Sequence, residues 1–134
     1  MMQGEMMSKS KLITQIILCM ISLFLMSCKS SEHDKVRNMQ INTVDLSRVK
    51  DGNYRGDYSY GNFTYVVEVV VRSNRIEAID ILENRDSKYT KMAEAVADKV
   101  IDRQQNNVDV ISGATTTSKA LLKAIENALN KGIR

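Results

Sequence analysis

What most limits the folds open to this chain is a stretch of alternating residues broken twice by short polar pairs. Tyr54, Gly56, Tyr58 and Tyr60 alternate with Arg55, Asp57 and Ser59, the period of two that belongs to a strand with one covered face. Gly61-Asn62 supplies a turn. Phe63, Tyr65, Val67, Val69 and Val71 then share one face of a second strand. Its other face, with Thr64, Val66, Glu68 and Val70, is apolar enough to be partly covered. Ser73-Asn74 separates this run from a third, residues 75–83, and two residues between β-rich runs predict a tight hairpin. Strict alternation would put Ile76, Ala78 and Leu82 on one face of the third strand and Ile79 and Ile81 on the other.

The period then changes. Tyr89, Met92, Ala93, Val96, Ala97, Val100 and Ile101 fall at helical spacing, with Lys88, Lys91, Glu94, Asp98 and Lys99 outside the stripe. The polar run at residues 104–107 ends that helix, and a short segment at 108–111 follows. A last helix is expected over 118–130, with Leu121, Leu122, Ile125, Ala128 and Leu129 on one face. Thr117 or Ser118 is a candidate cap, and Gly132 stands where a C-terminal stop belongs. Three strands followed by helices predict an α+β domain, a small antiparallel β-sheet with two main helices packed on one face.

The N-terminal segment reads as an address. Lys9 and Lys11 precede an apolar run from Leu12 to Met26, 15 residues long. That is short for a bilayer span and suited to a signal segment. Leu25-Met26-Ser27-Cys28, followed at once by polar residues, resembles a bacterial lipoprotein lipobox. A small residue lies beside the bond to be cut, and the Cys28 thiol is the nucleophile that takes the diacylglyceryl group. The alternative is an uncleaved anchor with an incidental cysteine. Under either reading the rest of the chain lies on the extracytoplasmic side of the cell membrane. The expected division is a lipoprotein signal peptide at 1–27, a lipidated Cys28 and polar tether at 28–47, and one folded domain at 48–134. His33, in the tether, is given no role.

Composition removes several classes of function. One His and two Cys cannot supply the His/Cys ligands of a zinc site. Nineteen Lys and Arg against 16 Asp and Glu, scattered along the chain, give no basic surface for nucleic acid. Cys19 leaves with the signal and Cys28 is acylated, so disulfide and thiol redox chemistry are excluded as well.

The stretch that carries chemistry is Asp109-Val110-Ile111-Ser112-Gly113-Ala114-Thr115-Thr116-Thr117-Ser118. Every residue from Ser112 to Ser118 is small, most bear hydroxyls, and an amphipathic helix follows. A helix N-terminus offers unpaired N–H groups and a partial positive charge, which favour phosphate. Gly113 and Ala114 permit close approach to the backbone. The competing reading is a capped loop, because Ser and Thr gather before helices for local reasons.

This segment resembles the flavinylation motif of FMN-binding domains. Such domains occur in subunits of sodium-pumping NADH:quinone reductases, in related ferredoxin-linked complexes and in small secreted flavoproteins. The motif is an Asp, two variable positions, then Ser/Thr-Gly-Ala-Thr, often with Thr-Ser shortly after. Asp109, Ser112, Gly113, Ala114, Thr115 and Thr117-Ser118 fill those positions in register. Asp51-Gly52-Asn53-Tyr54-Arg55-Gly56 is similar to the opening of the same domain, so the resemblance spans roughly residues 48–132.

The resemblance implies FMN as cofactor and Thr115 as the residue that a flavin transferase, using FAD and a divalent metal, joins to the FMN phosphate. Asp109, Ser112, Gly113 and Ala114 would form the frame the transferase recognises. Thr117 and Ser118 would serve either the phosphate or the helix cap. The loop after the third strand, residues 83–88, lacks the Gly or His usual in small members. There Asn84 is a candidate donor to the flavin ring, and Arg85 or Lys88 a candidate partner for the reduced flavin's charge, against a reading of the loop as a solvated charged turn. Tyr54 is expected in the core, while Tyr58, Tyr60 and Tyr65 are open to stacking on a flavin. The implied function is an extracytoplasmic, membrane-anchored electron-transfer module with a separate redox donor and acceptor. The alternatives are a small flavin-dependent reductase, and a non-redox binding lipoprotein that has lost flavin.

Overall fold

A computed structural model describes residues 2–25 and 31–133, so Cys28, with residues 26–30, lies outside the described residues. The chain divides into two units at Ser31. In the first, helix α1 (Met2–Leu25) carries Leu12, Ile13, Ile16, Ile17, Leu18, Met20 and Ile21, each more than half exposed. Among the described residues no helix is long and apolar enough to cross a membrane.

In the second unit, the alternating runs form strands β1 (Gly52–Tyr60), β2 (Phe63–Arg72) and β3 (Arg75–Glu83) of one antiparallel sheet, in the order β1-β2-β3. The β2–β3 turn has Ser73 at φ 50° and Asn74 at φ 60°. Positive φ at both central residues is the tight turn whose twist matches that of its strands. Tyr54 faces Val69, Gly56 faces Val67 and Tyr58 faces Tyr65, so the predicted apolar faces of β1 and β2 coincide.

β3 departs from strict alternation. The pairing slips between Val70 and Val71 and again between Val66 and Val67, so that Ile76, Ile79 and Ile81 lie opposite Val71, Val69 and Val67. One extra residue in a strand reverses the facing of everything beyond it. Ile76 therefore shares the covered face with Ile79 and Ile81, and Leu82 is half exposed.

The helical region is α3 (Lys88–Ala93), α4 (Ala95–Arg103) and α5 (Thr115–Lys131). The first predicted helix is thus two, meeting at Glu94. Ser87 starts α3 with a reciprocal cap: its Oγ accepts from Thr90 N and its own N–H donates to Thr90 Oγ1. α4 ends at Gln104, in the left-handed region at φ 53°. The Gln104 amide accepts from Ile76 N at 2.7 Å and donates to Ile76 O at 2.9 Å, which ties α4 to the free edge of β3.

α5 is the central element. Ala120, Ala124, Ala128, Leu121, Leu122, Ile125 and Leu129 are all buried in one core with the inner faces of β1 and β2. Its backbone lies directly on β1 at Gly56, where an added Cβ would fall 2.1 Å from Ala124 O and 2.4 Å from Ala128 N. Gly132, after α5, has φ −90°. It is glycine for want of space, because a Cβ there would fall 2.5 Å from the Tyr54 ring.

The segment read as a tether belongs to this unit from Glu32 on. Helix α2 (Glu32–Arg37) buries Val36, and Ile41 and Val44 enter the same core. Two buried polar side chains hold the segment down. Asn106 accepts from Val44 N at 2.8 Å and donates to Asn42 O at 2.6 Å. Glu126 accepts from Asn42 N at 3.0 Å and pairs with Lys123 at 2.8 Å. Buried polar groups require such partners, and here they include main-chain groups of Asn42 and Val44 in the segment.

Gly56→Ala should force α5 off β1 and lower the unfolding free energy by about 3 kcal/mol, as overpacking of a filled core does. Urea denaturation followed by circular dichroism measures this, and an unchanged midpoint would contradict the close approach.

Candidate functional site

The residues from Ile111 to Ser118 form a turn that runs straight into α5. Ala114 N donates to Ile111 O at 3.0 Å, and Gly113 between them sits at φ 82°. That is the third position of a four-residue turn, where a side chain strains the backbone. A Cβ on Gly113 would meet nothing within 4 Å, so the space beside it is open. Ala114 is buried, whereas Ser112 and Gly113 are exposed. Lys99 Nζ reaches the main-chain carbonyl of Asp109 at 3.4 Å, and the Asp109 residue is exposed.

α5 begins three residues earlier than its apolar stripe predicts. Thr115 is its first residue, and Ala114 precedes it with no side-chain cap. Thr117 and Ser118 thus lie inside the first turn and cannot cap it. Ser118 is fully buried, and its Oγ accepts from Ile111 N at 3.1 Å, closing the turn against the helix. Thr117 is buried beside it, and Thr115 and Thr116 are half-buried.

The absence of a cap matters chemically. The first N–H groups of a helix have no partner within it. Among the described residues no side chain fills that role at Thr115, Thr116 and Thr117, so these donors, with the positive end of a 17-residue helix behind them, suit an anionic oxygen. Gly113, Ala114 and the three threonines line a pocket of about 230 Å³ whose remaining wall is Arg37. Whole small-molecule sites run to roughly 300–1,000 Å³. This one suits a phosphate and the sugar chain next to it. Open donors, an unfilled glycine corner and a guanidinium are a donor set that fits the phosphate end of FMN.

The other predicted site residues have local partners. Asn84 donates to Glu94 Oε1 at 2.9 Å and Thr90 O at 3.3 Å, and its oxygen accepts from Arg85 N at 2.8 Å. Its amide organises the β3–α3 loop. Arg85 stacks on Phe63, 4.1 Å from the ring centre. Lys88 is exposed at the start of α3. Tyr65 is fully buried, its ring stacked on Tyr60 at 5.8 Å. Burial, and then the hydrogen bond to the Tyr65 hydroxyl at 3.2 Å, push the Tyr60 phenol well above its usual range. Tyr54 is half-buried against the core and donates to Lys50 O. His33 is not idle: its ring packs edge-on to Tyr60 at 5.5 Å. Arg37 was missed because it sits among other charges in a segment without period. Nothing in its local sequence connects it to Thr115.

Two comparisons bear on the site. The FMN-binding domain family matches residues 60–130, a span that holds β2 to the body of α5 and the whole of the 109–118 stretch. An uncharacterized protein of Treponema pallidum (strain Nichols) is 32% identical over 87 residues, which is 63% of this chain and 24% of that protein. The chain thus spans about a quarter of the length of this relative.

Ser118→Ala should leave Ile111 N–H without its partner and cost about 1 kcal/mol. Amide hydrogen exchange at Ile111 should speed up while exchange in β2 stays slow. Unchanged exchange at Ile111 would show that the turn does not depend on Ser118.

Proposed function

The chain belongs to the FMN-binding domain family, and from that premise we propose that it is an electron-transfer module, carrying its flavin as a phosphoester on Thr115 and held at the outer face of the cell membrane. FMN as cofactor follows from the family. Bound FMN supplies one- and two-electron chemistry, and the protein supplies position. The observation that carries the reading is the uncapped start of α5, with Thr115 as its first residue beside the open corner at Gly113.

In this reading Thr115 is the acceptor. Its Oγ attacks the flavin-side phosphorus of FAD in a flavin transferase that also holds a divalent metal. A phosphorus–oxygen bond forms to Thr115, the pyrophosphate bond breaks, AMP leaves, and the hydroxyl proton goes to solvent or a base of the transferase. No oxidant or reductant is needed. The exposed Asp109, Ser112 and Gly113, with Ala114 behind them, are the frame the transferase reads. In the finished protein the N–H groups of Thr115, Thr116 and Thr117 would hold the phosphate. Ser118 keeps the turn closed through Ile111.

A covalent link suits a location where a dissociating cofactor would be lost. The sequence supports that location through the signal-like segment and Cys28. Acyl chains on Cys28 would keep the carrier beside membrane-bound redox partners, a separate donor and a separate acceptor, since two chains anchor where one does not.

Coexpression with a flavin transferase should give a protein band that fluoresces under ultraviolet light after denaturing electrophoresis. Thr115→Ala should abolish the band with the fold intact by circular dichroism, whereas a persisting band would move the link elsewhere. Cys28→Ala should end labelling by a fatty-acid analogue. Labelling that survives would contradict lipidation at Cys28.

A further inference from the structure

Arg37 faces the Thr115 turn from outside the stretch that the family matches, which ends at residue 60 on the N-terminal side. The side chain is exposed and has neither a hydrogen bond nor an ion pair to another described residue. Its backbone is held on both sides. Val36 is buried in the core, and Met39 O accepts from Lys119 Nζ, on the second turn of α5, at 2.9 Å. One helical turn back, His33 packs on Tyr60. A cation at the end of α2 also complements that helix's dipole, but the dipole does not explain why Arg37 lines the pocket at the start of α5.

We propose that Arg37 is the counter-ion of the flavin phosphodiester on Thr115, so that the segment preceding the sheet completes the cofactor site. This rests on the reading of Thr115 as the flavin acceptor. The chemistry is specific. Linking the phosphate to Thr115 leaves a diester with one negative charge and two unesterified oxygens. The N–H groups of α5 approach them from the helix end. A guanidinium presents a planar fork of donors that matches two such oxygens, and a lysine ammonium does not. Before attachment Arg37 pairs with no other described residue. Its contribution should therefore appear only in the flavinylated protein.

That difference separates a ligand contact from a structural role. The full chain and its Arg37→Gln and Arg37→Lys variants would each be prepared with and without a coexpressed flavin transferase, and their thermal unfolding midpoints compared. Flavinylation should raise the midpoint of the wild-type chain. Arg37→Gln should lose at least half of that rise, and Arg37→Lys should keep an intermediate share. Without flavin, Arg37→Lys should melt with wild type, and Arg37→Gln should differ from it only by the small dipole contribution at the end of α2. Raising the salt concentration should shrink the wild-type rise and leave that of Arg37→Gln nearly unchanged. A rise of equal size in wild type and Arg37→Gln would overturn the proposal while leaving Thr115 as acceptor. An Arg37→Gln chain that takes no flavin, when wild type does, would place the guanidinium at the phosphate already during transfer. A wild-type chain that takes no flavin would fail the reading of Thr115 itself, and the role of Arg37 with it.

Discussion

Everything in the folded unit is arranged around the contact between α5 and β1 at Gly56. The carbonyl of Ala124 and the amide of Ala128 lie where a side chain on Gly56 would stand. With alanines at 120, 124 and 128, the helix backbone itself seals the sheet. A helix this close to a three-stranded sheet is buried almost all round, so its remaining faces need cover. The segment from Val36 to Val44 supplies it, fastened by Glu126 and Asn106. The same contact fixes where α5 begins. Its N-terminus emerges at the turn of Ser112 and Gly113, with its donors facing outward.

The site therefore follows from the fold by position, with no special backbone chemistry beyond one left-handed glycine. Ser118 holds Ile111, Ala114 is buried, and between these anchors Thr115 stands half-exposed at the positive end of the helix. Such a place favours a phosphate electrostatically, and the residue itself is only partly covered. On the proposed reading, phosphate binding and attachment at Thr115 would have one structural cause.

Much of this was legible in the sequence, and the reasons differ by element. The two hairpins were, because alternation and two-residue turns are local signals. The family was legible through the 109–118 stretch, because motif spacing survives without knowledge of the fold, and the stretch lies inside the family match. Three features were hidden. The bulges of β3 have no sequence marker, so strict alternation groups Ile76 with Ala78 and Leu82 when it shares a face with Ile79 and Ile81. The start of α5 lies among threonines that read as loop, and nothing in the sequence marks the absence of a cap at Ala114. Residues 32–47 have few apolar side chains and no period, and what fixes them is hydrogen bonding to Asn106 and Glu126, far away in sequence. Arg37 stayed unread for the same reason. In the loop at Asn84 the sequence offered a ligand, and the structure has an amide whose oxygen and hydrogens all meet protein partners.

The most direct test of the central claim is peptide mass mapping of the chain after coexpression with a flavin transferase. Trypsin releases residues 104–119 as one peptide, which contains the whole turn and Thr115. The account predicts that this peptide gains the mass of FMN less water, with fragmentation placing the addition on Thr115. An unmodified peptide from fully folded protein, or an addition on Thr116, Thr117 or any other residue, would contradict it.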